Sequence, residues 1–222
     1  MTSARGITYA DPEQDDRHRD IDGVLWVVCA GSATGGTEYA KELHPDRQCT
    51  AMDLLLCAGC KLPAARNKRG MTWILPLLDD ATDTVWEGVQ TAIPPVCEVC
   101  ADLAPQACPV LRDGHVELRV REAEVIGVRG TLYPRPGQNH SPDPDALVLY
   151  DSPDLPFVVA RQLIRELRDV TVVHRTPGPH PIDPRRGDRH PTHAPPVTGR
   201  APRRVTDSPA ATKDSRSATG RA

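Results

Sequence analysis

Four of the seven cysteines in this chain fall into two pairs of equal spacing, Cys57 and Cys60 in "CAGC" and Cys97 and Cys100 in "CEVC". Two residues between sulfurs let one tight turn aim both at a single point, and Gly59 eases the first turn. Four soft thiolates delivered as two such knuckles predict a tetrahedral Zn²⁺ site. The stretch from Cys60 to Cys97 merely closes a loop, at roughly 0.6 kcal/mol per doubling of its length. The same thiolates also suit an iron–sulfur cluster, which spacing alone does not separate from zinc. A thioredoxin-type redox pair fits less well, because neither knuckle sits in an evident βαβ unit. An odd number of cysteines suits a disulfide frame poorly.

Other reactive residues carry weaker signals. Cys29 and Cys49 fall inside predicted elements and read as small buried apolar side chains. Cys108 follows Cys100 closely enough to be a substitute ligand. His44 in "KELHPDRQ" and His115 in "RDGHVELRV" have no partner in view, and read as a helix-entry and a strand-edge residue. "GSATGG" (31–36) lacks the Gly-Lys-Ser/Thr ending of a phosphate loop and reads as a flexible turn. Asp79, Asp80 and Asp83 in "LLDDATD" read as a solvated turn.

Holding the two knuckles together requires an α+β scaffold. "GVLWVVC" (23–29) predicts a buried strand. "HPDRQCTAMDLLLC" predicts a short helix, with Pro45 in its first turn, Asp46 where the macrodipole favours an anion, and the first knuckle at its end. "MTWILPLL" (71–78) and "VWEGVQTAI" (85–93) predict a hairpin around "DDATDT", with Pro76 marking an edge or bulged strand. "EVCADLA" predicts a helix that opens on the second knuckle and stops at Pro105. "HVELRV" alternates Val116, Leu118 and Val120 with Glu117, Arg119 and Arg121, as a half-buried strand does, and "ALVLY" (146–150) adds another. "SPDLPFVVARQLIRELRDV" (152–170) predicts a C-terminal amphipathic helix burying Phe157, Ala160, Leu163, Ile164 and Leu167.

The order helix, knuckle, hairpin, knuckle opening a helix resembles the treble-clef zinc fold over residues 45 to 107, most closely the zinc-bearing HNH endonuclease group. There a strand after the first CxxC carries Asp-His-Ile-x-Pro-Leu. Ile74, Pro76 and Leu77 match it, but Thr72 and Trp73 stand where the acid and the general-base histidine belong. Ala101 follows Cys100, where that group often has His or Asn. The resemblance therefore implies a structural zinc module without the catalytic apparatus, since tryptophan neither activates water nor holds a catalytic metal.

Charge divides the chain. From Arg175 onward ten basic residues stand against four acidic, a net +6, which leaves −9 of the total −3 on residues 1–174. The segment 175–222, with nine prolines and few apolar side chains, reads as a disordered basic tail. Residues 1–22 read as a mobile segment and 23–174 as one zinc-binding domain. The opening has no apolar signal-peptide core, and no segment approaches a membrane span, so a cytoplasmic protein is expected. Two uses follow. The first is a noncatalytic adaptor that binds an unknown protein partner. The second is a nucleic-acid-associated protein using the tail and the 60–70 loop, where Lys61, Arg66, Lys68 and Arg69 could contact phosphate; the acidic body opposes that use.

Overall fold

The computed structural model describes residues 2–3, 6–30, 43–77 and 83–178. Its elements are β1 (Thr2–Ser3), β2 (Gly6–Ile7), α1 (Pro12–His18), β3 (Leu25–Trp26), α2 (Pro45–Asp53), β4 (Arg66–Asn67), β5 (Gly70–Pro76), β6 (Val89–Thr91), α3 (Glu98–Ala107), α4 (Pro109–Arg112), β7 (Gly114–Leu132), β8 (Asp143–Leu149) and β9 (Val158–Pro177). Seven strands form one mixed sheet in the order β3-β9-β7-β5-β4, with β6 on β9 and β8 on β7. Among the described residues only β3 pairs in parallel, and every other neighbour is antiparallel. The fold is α+β, as expected, but the small module foreseen around the cysteines is attached to this larger sheet. None of the described helices is long and apolar enough to cross a membrane.

The backbone of the molecule is the β7–β9 ladder. β7 keeps its predicted alternation, with Val116, Leu118 and Val120 buried. β9 corrects the sequence reading: residues 152–170 are not an amphipathic helix but a short 3-10 turn at Leu155–Phe157 followed by a twenty-residue strand. The five residues expected inside are inside all the same, each of them buried. The ladder explains the misreading. Register shifts between Val125 and Gly127 and between Arg129 and Gly130 insert an extra residue on one strand and then the other. Such bulges break the period of two, and Ala160, Leu163, Ile164 and Leu167 come to share the spacing of a helix face.

The expected hairpin of 71–78 with 85–93 is also corrected. Trp86 closes a 3-10 turn that begins at Asp83, and only Val89–Thr91 is a strand, paired with β9. The hairpin between the knuckles is β4–β5, turned at Lys68 and Arg69. Gly70 enters β5 at φ +120, and a Cβ there would overlap the Val120 carbonyl. Pro76 is the last residue of β5, where it interrupts no ladder bond further along. Helix α3 continues past Pro105 to Ala107, because a proline two residues from the end removes one hydrogen bond without stopping the turn.

Residues 6–22, expected as a mobile segment, include α1 and contacts to β3. The Tyr9 hydroxyl donates to the Trp26 carbonyl at 3.0 Å, and Asp15 pairs with Arg19 at 2.9 Å. β9 runs to Pro177, past the expected boundary at 174. Residues 31–36, Asp79, Asp80 and the tail from 179 lie outside the described residues.

Among the described residues three buried clusters fill the interior. Met71, Trp73, Leu75, Trp86 and Leu167 join the β7 valines on one side of β5. Val24, Met52, Val128, Val148, Val158, Ala160 and Leu163 pack beneath α2. Ile74, on the opposite face of β5, packs with Cys57, Val96, Cys100, Ala104 and Leu111. One short strand thus supports both the sheet core and the cysteine cluster.

Candidate metal centre

The first knuckle grows out of the end of α2. The Leu54 N–H bonds back to Thr50, Leu55 turns to φ 53, and the Leu56 N–H reaches the Ala51 carbonyl at 2.9 Å. The chain then folds on itself: the Cys57 N–H donates to Leu62 at 2.7 Å, and the Lys61 N–H donates to Cys57 at 3.0 Å. Lys61 itself takes a left-handed φ of 64, which closes the turn. The second knuckle is the start of α3. Cys97 is its N-cap, with Sγ accepting from the Cys100 N–H at 3.4 Å. There the helix N-terminus favours thiolate over thiol.

Backbone bonds fix the two knuckles against each other. The Ala58 N–H donates to Pro95 at 2.8 Å, the Ala65 N–H to Val96 at 2.9 Å, and the Val96 N–H to Thr72 at 3.0 Å. As a result the sulfurs of Cys57, Cys60, Cys97 and Cys100 all lie within 4.8 Å of one another. Cys60 and Cys97 are 3.6 Å apart, from Sγ to Sγ. A tetrahedron with metal–sulfur bonds of about 2.3 Å has edges of about 3.8 Å, so the cluster has the size of a tetrathiolate cage. None of the seven cysteines forms a disulfide. Cys57 and Cys100 are buried, and Cys60 and Cys97 half-buried.

The electrostatics divide the cluster in a telling way. Burial pushes the Cys97 thiol up, but the Cys100 N–H and hydrogen bonds from the neighbouring thiols outweigh it and hold Cys97 below the usual thiol range. Cys60 moves the other way, raised by burial and by its sulfur neighbours. A bound dication lets the thiols release their protons.

The other sequence candidates are not part of this cluster. Cys108 caps the far end of α3, about 16 Å along the helix from Cys97, and is outside the four-sulfur group, so the substitute-ligand expectation is corrected. Cys49 and Cys29 are half-buried rather than core residues. Burial pushes the Cys49 thiol up to about 11, and raises Cys29 as well. His44 precedes Pro45 as the N-cap of α2, with Nδ1 3.9 Å from Asp46. The Nδ1 of His115 lies 3.2 Å from the Leu111 carbonyl. Thr72 and Trp73 are fully buried; the Trp73 indole donates to Ile93 at 2.8 Å, and Thr72 accepts from Arg119.

Lys61 is half-buried in the knuckle turn, whereas Arg66, Lys68 and Arg69 are exposed on the β4–β5 hairpin. Among the described residues none of these last three forms an ion pair.

One residue at the centre escaped the sequence reading. Arg47, buried in the first turn of α2, donates from Nη2 to the carbonyl of Ala58 at 3.0 Å and to that of Gly59. Comparison with known protein families, with curated proteins and with solved structures finds no match to this chain.

Proposed function

We propose that the chain is a noncatalytic, zinc-stabilised module that serves as a protein-interaction or regulatory adaptor. The observation that carries this reading is the completeness of the cage: four cysteine sulfurs within 4.8 Å supply every position of a tetrahedral ion and leave no open position for substrate or water. Zinc is favoured because all four donors are soft thiolates in a half-buried site of tetrahedral size. Local order also supports the treble-clef likeness, since α2, the first knuckle, the β4–β5 hairpin, the second knuckle and α3 follow one another. Thr72 and Trp73 act here as packing residues, which agrees with a module lacking nuclease chemistry. Exposed Leu62, Val99 and Leu103 flank the two knuckles and suit contact with a partner. Seven cysteines with no disulfide among them suit a reducing, cytoplasmic compartment.

Metal analysis tests this directly. Protein purified without chelator should carry one zinc per chain by native mass spectrometry, without the visible absorption of an iron–sulfur cluster. Cys97→Ser should lose the ion, and Cys108→Ser should keep it. Metal-free wild type that is natively folded would overturn the reading.

The second reading, nucleic-acid association through the 60–70 loop and the tail, draws on the unpaired charges of Arg66, Lys68 and Arg69. Salt-dependent binding that disappears in Lys68→Glu/Arg69→Glu would favour it. No binding at low salt would remove it.

A further inference from the structure

We infer that Arg47 is the outer cation of the metal centre: its guanidinium shapes the first knuckle for ligation, offsets the cage's surplus negative charge, and ties ion loading to the seating of α2 on the sheet. The inference deepens the zinc reading and rests on it. Ala58 and Gly59 are the two residues between the ligating sulfurs of Cys57 and Cys60, and Arg47 holds the carbonyls of both. In a trans peptide the C=O and N–H point opposite ways. Fixing the two carbonyls on Arg47 therefore turns the N–H groups of Gly59 and Cys60 away from it and sets the curvature of the turn.

Charge gives Arg47 its second role. Four thiolates around a dication sum to about −2, and a charge of that size in a half-buried site is costly unless a cation lies near. Arg47 is 3 % exposed, and an arginine stays protonated at any accessible pH. Both bonds come from one nitrogen, Nη2, which the rigid, planar guanidinium holds in place as a lysine's flexible ammonium is not held.

The third role follows from the next residue. Gln48 is likewise buried, and its amide bonds to Leu163 of β9 and to Ala92. Adjacent residues of one helix thus grip the knuckle and the sheet, and α2 is the strut between them.

The test compares zinc affinity, by competition with a chromogenic chelator, and the pH midpoint of zinc release across full-length variants. Arg165 supplies the control. It is a buried arginine of β9 that holds the C-terminal end of the same helix, bonding the Met52 carbonyl at 2.8 Å and the Asp53 carbonyl at 3.1 Å without touching the two carbonyls inside the knuckle. Arg47→Met should weaken zinc binding roughly 10–100-fold and raise the pH of release by roughly a few tenths of a unit. Arg165→Met, which loosens α2 on the sheet without releasing the knuckle carbonyls, should lower the melting temperature and weaken zinc binding far less than Arg47→Met does.

Arg47→Lys, which keeps the charge and loses the rigid guanidinium that positions Nη2, should fall between wild type and Arg47→Met. Should Arg47→Met not fold, Arg47→Lys decides alone, and wild-type affinity in it overturns the inference. Unchanged zinc affinity and release in Arg47→Met overturns it too, as does an equal loss in Arg165→Met. Wild-type protein that binds no metal is a separate failure: it removes the zinc reading, and this inference with it, before any variant is compared.

Discussion

Gln48 meets Leu163 with both ends of its amide: Nε2 donates to the Leu163 carbonyl at 2.9 Å, and the Leu163 N–H donates to Oε1 at 2.8 Å. This is the exchange that a neighbouring strand would make. It falls where β9 lacks one, between β3 at Val159 and Ala160 and β6 at Arg165 to Leu167. A helix side chain therefore completes the edge of a strand. Gln48→Leu keeps the bulk and takes this partner from three backbone groups, the Leu163 N–H and carbonyl and the Ala92 carbonyl, for an expected loss of about 2–4 kcal/mol. In a domain of this size the melting temperature should fall by roughly 5–15 °C. A fall below about 2 °C would mean that the exchange contributes little.

Cys49 should be nearly inert to alkylation. Its thiol is pushed up to about 11 by burial, with Asp53, Asp20 and Asp46 adding to the shift. Near pH 8 only about one molecule in a thousand carries the thiolate, the reactive form. Peptide mapping after iodoacetamide should show Cys49 labelled far more slowly than a free cysteine, with the rate rising about tenfold per pH unit. Labelling at the rate of an exposed thiol would contradict the placement.

Asp15 should make the N-terminal region sensitive to acid. Burial pushes its carboxyl up, but the Tyr9 N–H and the Arg19 guanidinium outweigh that and leave it below the ordinary range. A carboxyl lowered on folding contributes stability above its unfolded value of about 3.9, and that contribution is lost as pH falls through the folded value. Asp15→Asn should therefore melt below wild type near neutral pH, and the gap should close as the solution approaches about pH 2. A gap that is constant with pH would assign the effect to packing.

Gly130 should tolerate no side chain. A Cβ there would overlap the Val159 carbonyl and stand 2.8 Å from the Ala160 Cα, both of them backbone. The position adjoins the register shift that sets the inward face of β9. Gly130→Ala should cost about 1–3 kcal/mol or more, read as a lower urea midpoint. An unchanged midpoint would show that the ladder yields easily at this point.

The cysteine cluster was legible because metal ligands carry their own spacing, and the two knuckles needed only a scaffold that folds them together. β7 was legible because Val116, Leu118 and Val120 alternate without interruption. β9 was not, since bulges gave it the period of a helix while its buried residues stayed those that hydrophobicity selects. Arg47, Gln48 and Arg165 were missed for a different reason: polarity predicts exposure, and these three are buried with backbone carbonyls as partners. One signal was present. Only Ala51 and Met52 are apolar and buried on α2, and a helix with so narrow an apolar stripe must dock by polar contacts.

The last strand is the one that β3, β6 and β7 all pair with. On the ribosome those earlier pieces therefore wait, while Cys100 has already emerged and the full set of thiolates is available to capture an ion. At about 5–20 residues per second, roughly 4–15 s pass between synthesis of Cys100 and of Pro177. During that interval a metallated nucleus would shelter Ile74 and Val96 in a nascent chain whose β9 ladder has not yet formed, so metal supply would bear on biogenesis before it bears on the finished protein.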